Sequence, residues 1–298
     1  MQGLILINKP KNISSFGVVH RIKKLTGEKR VGHTGTLDPM ATGVLPVFIG
    51  RATVLSSYLL EADKSYLACI KLGTTTDTYD ITGKITSENE VKVTNRDLDE
   101  ILTTFIGEQN QIPPMFSALK KEGKKLYELA RQGYEVERAP RRIRIHNIKR
   151  ITDIDADNCF RIKVTCSKGT YIRTLCNDIG NRLGCGAVLT ELCRDSTNGI
   201  DIMSCVSLKE LTEENITEYI IPEEFAVARF DPIGVTEKQA IRFSNGGELD
   251  VNRLHIDPPY QGQLFRVKYN GILLGVGRYE DEKKAIVIDC IVNQYKGE

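Results

Sequence analysis

The chain has 298 residues, 41% of them hydrophobic and 27% charged, with a net charge of +2; these are globular proportions and exclude a disordered or fibrous chain. The length exceeds what one compact domain needs, so one large domain with an appendage, or two domains, is expected. Eight scattered cysteines without Cys-x-x-Cys spacing supply neither a zinc-ligand set nor a disulfide framework.

The opening residues Met1 to Pro10 hold an apolar run, Leu4 to Ile7, too short for a signal peptide and readable as a buried strand. Charges interrupt every later apolar run before it could span a bilayer, so a cytoplasmic location is expected. Residues 14–27 read as a helix: Ser14 or Ser15 caps it, Val18, Ile22 and Leu25 share a face, and Gly27 ends it. From Arg30 to Gly43 neither period holds, and three glycines with Pro39 indicate a long loop, a place where function concentrates.

Val44 to Ile49 and Ser65 to Leu72 read as strands, and Leu98, Ile101, Leu102 and Phe105 form a helical stripe. Between Lys120 and Arg150, eleven basic residues, including Lys120, Lys124, Lys125, Arg131, Arg141 and Arg142, stand against four acidic ones, Glu122, Glu128, Glu135 and Glu137. Such an excess in a nearly neutral chain is the footprint of a phosphate-binding face, although a solvated helix face would look similar. Residues 112–145 read as a protruding insertion hinged at Ile112-Pro113-Pro114 and Ala139-Pro140, with a short helix near Lys124 to Arg131.

Arg142 to Arg150 and Phe160 to Cys166 read as strands, and Thr170 to Gly184 as a helix burying Ile172, Leu175, Ile179 and Leu183. After residue 230 the pattern becomes a short helix and three strands, two of them joined by Asn270-Gly271, a strong hairpin signal. The expected division is therefore 1–229 and a β-rich unit at 230–298, and the irregular alternation of strands and helices gives an α+β class rather than a doubly wound sheet.

The segment richest in information is Arg30-Val31-Gly32-His33-Thr34-Gly35-Thr36-Leu37-Asp38-Pro39-Met40-Ala41-Thr42-Gly43, where one carboxylate stands among glycines and a proline. Most loop aspartates only form turns. This segment, however, closely resembles the active-site motif of the bacterial tRNA pseudouridine-55 synthases. Three further blocks match that family in the same order: Lys64-Ser65-Tyr66, Ile112 to Lys120 continuing to Gly133, and Ser167-Lys168-Gly169-Thr170-Tyr171-Ile172-Arg173. Asn8 and Ile200 depart from the commonest pattern without touching these motifs.

The resemblance implies a mixed, mainly antiparallel central sheet flanked by helices, a basic RNA-clamping insertion, and a C-terminal β-barrel of the PUA kind. It implies a monomer that needs no metal or other cofactor and binds tRNA by its T-stem loop, with the C-terminal unit on the acceptor stem. Asp38 would attack the ribose C1′ or remove a neighbouring sugar proton, in a site that excludes water. Burial alone would disfavour the carboxylate's charge, and Arg173 is the implied counter-ion. Tyr66 would stack on the uracil and relay a proton, Leu192 would add an apolar wall, and His33 would fill the gap left by the flipped base. Lys9 is assigned to the loop or to a phosphate, and Asp77 and Asp80 to turns or to supporting contacts. Two other readings share these features: an RNA-binding or RNA-folding protein without chemistry, and a guide-RNA-dependent synthase subunit.

Overall fold

The computed structural model describes residues 1–121 and 123–297; Glu122, counted above in the basic stretch, lies outside them. Strand β1 (Gly3–Lys9) is followed by helix α1 (Ser15–Thr26), which Ser14 caps through its side chain and Gly27 ends with a φ of 68°. A short strand β2 (Val31–His33) pairs with β3 (Thr42–Ile49), and β4 (Lys64–Leu72) follows. The expected 30–43 loop is thus shorter at both ends: three residues are too few to show an alternation, yet they complete the edge of β3.

The central sheet runs, in spatial order, Val206–Ser207, β1, β3, Ala187–Thr197, β4, Cys159–Cys166, Arg141–Arg150 and Gly107–Gln111. Among the described strands of this sheet, only the pairings of β1 with Val206–Ser207 and of β3 with Ala187–Thr197 are parallel. This is the mixed, mainly antiparallel α+β sheet that the resemblance implied. Alternation sends β1 and β3 into two cores. Ile5, Ile7, Leu45 and Val47 face the helices, whereas Leu4, Val44 and Phe48 pack against Leu273 and Val276 of a second sheet and Val292 just after it. Burying both faces makes these strands almost continuously apolar.

That second sheet has five strands, ordered Asp231–Gly234, Leu264–Tyr269, Ile272–Glu280, Ala285–Ile291 and Leu249–Asp250, curled into a half-barrel. Asn270 (φ 47°) and Gly271 (φ 80°) form its hairpin turn, both in the left-handed region that a type I′ turn demands. Phe243, Phe265 and Val267 fill its own core. No helix among the described residues is long and apolar enough to cross a membrane.

The basic excursion leaves the central sheet after Gly107–Gln111 and returns as Arg141–Arg150, which pairs with the strand it left. The strand read over Arg142 to Arg150 begins at Arg141, so residues 141–145, also counted in the insertion, are sheet, with Ile143 and Ile145 alternating inward and buried. Within the excursion, Lys120–Lys121 pairs with Lys124–Lys125, and a helix covers Leu126–Arg131.

Candidate active site

The loop that carries Asp38 is gripped from behind. The Ser15 hydroxyl donates to the Leu37 carbonyl at 3.0 Å and accepts the Leu37 N–H at 2.8 Å. Lys9, completely buried, donates from Nζ to the carbonyls of Pro10 (2.9 Å), Ile13 (2.7 Å) and Pro39 (3.3 Å). All three ammonium protons are thereby directed at backbone. Lys9 is accordingly placed to brace the loop that carries Asp38, the first of the two roles expected for it, and lies outside the cleft lining. Burial lowers its pKa to about 8, the nearby Asp38 charge resisting and Arg194 assisting.

Asp38 meets Arg173 across a fork: Nε donates to Oδ2 at 2.8 Å and Nη2 to Oδ1 at 3.2 Å. Arg173 sits in the first turn of the Ile172–Arg182 helix and faces inward, 5% exposed at its side chain, whereas that of Asp38 is 34% exposed. The arginine is therefore fixed in the protein while the carboxylate remains reachable. Its other protons are also committed, Nη1 to the Thr78 carbonyl at 3.0 Å and Nη2 to the Phe116 carbonyl at 2.8 Å. Asp80 lies 3.6 Å from Nη1. Tyr79, with φ 64°, turns the chain so that the Thr78 carbonyl and the Asp80 carboxylate both approach one guanidinium. The other Asp80 oxygen is held by the Thr82 N–H and by the Thr78 and Thr82 hydroxyls.

A cleft of about 540 Å³ opens above this pair, and Asp38, Tyr66, Arg173, Leu192, Arg141 and Arg142 all border it. Tyr66 on β4 and Leu192 on the neighbouring strand are buried walls, 7% and 6% exposed. Burial raises the Tyr66 pKa, and the charge of Arg194 opposes the rise. His33 stands half-buried on β2 outside the cleft lining, its Nδ1 buried without a hydrogen-bond partner among the described residues. Burial first, then Arg194, lowers its pKa, which favours the neutral ring. Lys120, Lys124, Lys125 and Arg131 lie along the excursion rather than in the cleft; the ammonium of Lys125 and the guanidinium of Arg131 stack on Tyr127 at 5.4 and 5.5 Å.

The root of the excursion is joined to the arginine's helix. Gln111, buried, donates from Nε2 to the Tyr171 carbonyl at 3.1 Å and accepts the Tyr171 N–H at 2.8 Å. Together with the bond from Arg173 to Phe116, this fixes the start of the excursion against the Asp38–Arg173 pair.

One supporting contact expected from the sequence takes definite form, and one residue gains importance that the sequence reading did not give it. Asp80, one of the residues assigned to turns or supporting contacts, supports Arg173 directly, and Arg194, given no role from the sequence, is a buried cation bordering the cleft. Its signal in the sequence is positional: two residues after Leu192 on a strand, it shares the face of a residue already assigned to the wall.

A mixed sheet with an arginine-held aspartate at the floor of a basic-rimmed cleft is the arrangement of a pseudouridylate synthase. The sequence matches the family described as TruB family pseudouridylate synthase (N terminal domain) over residues 23–172 and as tRNA pseudouridylate synthase B C-terminal domain over 173–228. A protein of Clostridium acetobutylicum named tRNA pseudouridine synthase B is 45% identical over 96% of this chain and 99% of its own length. One of the same name from an Azoarcus species is 42% identical over 94% and 92%. The crystal structure of a Cbf5-Nop10-Gar1 complex contains a chain with a TM-score of 0.75 and 25% identity, covering 98% of this chain and 85% of that one. The chain belongs to the TruB family of pseudouridylate synthases.

Proposed function

We propose that this protein isomerises uridine 55 in the T loop of tRNA to pseudouridine, with Asp38 acting on the ribose of a flipped nucleotide. The observation that carries the reading is the Asp38–Arg173 fork beneath a cleft walled by Tyr66 and Leu192, in a chain with near-full-length likeness to tRNA pseudouridine synthases. The reaction breaks the C1′–N1 bond, turns the base and rejoins it through C5, so the proton leaving C5 balances the one gained at N1. No net oxidation or hydrolysis occurs. Tyr66 stacks on the uracil and Leu192 confines it. His33, as a neutral ring, fills the space left by the extruded base. Because the Asp38 side chain is one-third exposed here, the exclusion of water falls to the bound RNA itself.

Residues 1–229 form the catalytic unit and 230–298 a PUA-like unit that holds the acceptor stem. The excursion clamps the T stem through Lys120, Lys124, Lys125 and Arg131, with Arg141 and Arg142 at the cleft rim. The protein works as a cytoplasmic monomer without a cofactor. A guide-dependent role, the other enzymatic reading of the sequence, fits less well, because the basic excursion provides its own grip on RNA and the nearer sequence likeness is to tRNA pseudouridine synthases.

The direct test uses tRNA carrying tritium at C5 of uridine, incubated with the purified protein alone. Tritium is released and pseudouridine appears at position 55; absence of release would refute the reaction, and a requirement for a guide RNA would transfer it to the other class. Asp80→Asn, which keeps the turn but removes the charge beside Arg173, lowers the single-turnover rate about 10²-fold while leaving tRNA affinity unchanged, the penalty for slight misplacement of a catalytic group. An unchanged rate would make Asp80 a turn former only. Affinity for tRNA falls steeply with salt because phosphate counterions are released, and Lys120→Gln with Lys124→Gln and Lys125→Gln flattens the log–log slope by about 2–3 units. An unaltered slope would remove the excursion from the RNA interface.

A further inference from the structure

The pair that works on the sugar leaves the base without a counter-charge. Whether Asp38 forms an ester at C1′ or abstracts a sugar proton, the electron pair of the C1′–N1 bond departs on the uracil, which becomes an anion spread over N1, O2 and O4. Arg173 cannot answer it, since its protons are directed at Asp38, Thr78, Phe116 and Asp80.

Arg194 is placed differently. It is 1% exposed, yet it borders the cleft. Nε donates to the Val44 carbonyl at 2.8 Å and Nη2 to the Gly35 carbonyl at 3.1 Å. Among the described residues no carboxylate forms a salt bridge with it; beyond these two carbonyls its guanidinium reaches the hydroxyl of Tyr66 and opposes the rise in that group's pKa. A buried cation without an anionic partner is costly and is retained where an anion will arrive. Its place is prepared by close backbone approach. A Cβ on Gly35 (φ 76°) would stand 3.1 Å from Nη1, and one on Gly43 (φ 106°) would stand 2.2 Å from the Arg194 carbonyl oxygen. Arg194 also lies directly across the strand pair from Tyr66, the residue assigned to the base.

We propose that Arg194 is a further catalytic residue, whose Nη1 donates to the uracil anion while the base is detached and turning. This rests on the pseudouridine synthase reading and supplies what that reading lacks, a fixed positive group for the leaving base. The surrounding bases do not compete for the role: Lys9 donates to the carbonyls of Pro10, Ile13 and Pro39, Lys64 donates to those of Leu60 and Ala62, and His33 lies outside the cleft lining. Holding the anion also keeps the detached base from diffusing away before C5 attacks C1′ and the C5 proton is lost.

The test is single-turnover kinetics with enzyme in excess over tRNA, comparing wild type, Arg194→Met and Arg194→Lys on uridine and on 5-fluorouridine at the target position. Fluorine at C5 makes the departing base more acidic and less dependent on outside stabilisation, and its consumption is read from nucleosides after digestion. On uridine, Arg194→Met lowers the rate about 10²–10³-fold, with tRNA affinity within about threefold of wild type. Arg194→Lys recovers at least about a tenth of the rate, and the Met deficit shrinks at least about tenfold on 5-fluorouridine, as dependence on leaving-group acidity requires.

An equal deficit on both substrates would mean that Arg194 only shapes the cleft and would overturn the proposal. So would weakened tRNA binding with an unchanged single-turnover rate, which would assign the cation to a phosphate. If Arg194→Met does not fold, Arg194→Lys against wild type on the two substrates decides by the same ratio. A wild-type protein that made no pseudouridine would instead refute the underlying reaction.

Discussion

Asp38→Asn abolishes tritium release from C5-labelled tRNA, a loss of at least about 10⁴-fold in single-turnover rate, as expected when the reacting group itself is removed. The amide preserves the shape of the side chain and one acceptor for the Arg173 fork, but it can neither form the ester nor accept the sugar proton. Arg173 keeps its bonds to Thr78 and Phe116 and its neighbour Asp80. Unfolding in urea should therefore shift by only about 1 kcal/mol, the scale of one weakened hydrogen bond, and tRNA binding should stay within about threefold. Turnover by this variant at even a hundredth of the wild-type rate would show that another group attacks the sugar.

Arg173→Ala has the second large effect, and it strikes stability as well as chemistry. The arginine is buried, and its removal strands the buried Asp80 carboxylate and the Thr78 and Phe116 carbonyls that it satisfied. Breaking a buried ion pair from one side costs about 3–5 kcal/mol, read as a lower urea midpoint. Asp38 loses its orientation at the same time. Arg173→Lys separates the two effects, because a lysine restores positive charge but not the planar fork that fits both carboxylate oxygens. Its stability should recover much of the way, while its rate stays about 10²-fold below wild type for lack of correct placement. A Lys variant at full rate would show that charge alone, and not geometry, is needed at position 173.

Much of this site could be read from residues in order, because Asp38 and Arg173 lie in motifs that survive as short contiguous blocks. The helix over 15–26 was equally plain, its cap and terminating glycine standing next to a clean apolar stripe. What escaped depended on contacts between distant segments. Nothing local in Asn8-Lys9-Pro10 reveals that the ammonium is enclosed by three carbonyls, one of them from Pro39 thirty residues away. Asp80 was open to a turn or to a supporting contact, and what decides for the contact with Arg173 is the left-handed backbone at Tyr79, a conformation that tyrosine does not announce. Arg194 was concealed by its composition, since an arginine on a strand suggests solvent until the face it shares with Leu192 is recognised. The strand over Arg142 to Arg150 was legible, but its basic residues also drew 141–145 into the insertion, whereas Ile143 and Ile145 bury that stretch in the sheet.

The doubled attachment at the foot of the excursion limits how the enzyme can move. Gln111 clasps the backbone at Tyr171, and Arg173 ties down Phe116, so the stem of this arm shares one foundation with the reacting carboxylate. Bending to admit or release a tRNA is thus confined to the chain beyond residue 116, and the arm can change its hold on the nucleic acid without disturbing the alignment on which catalysis depends.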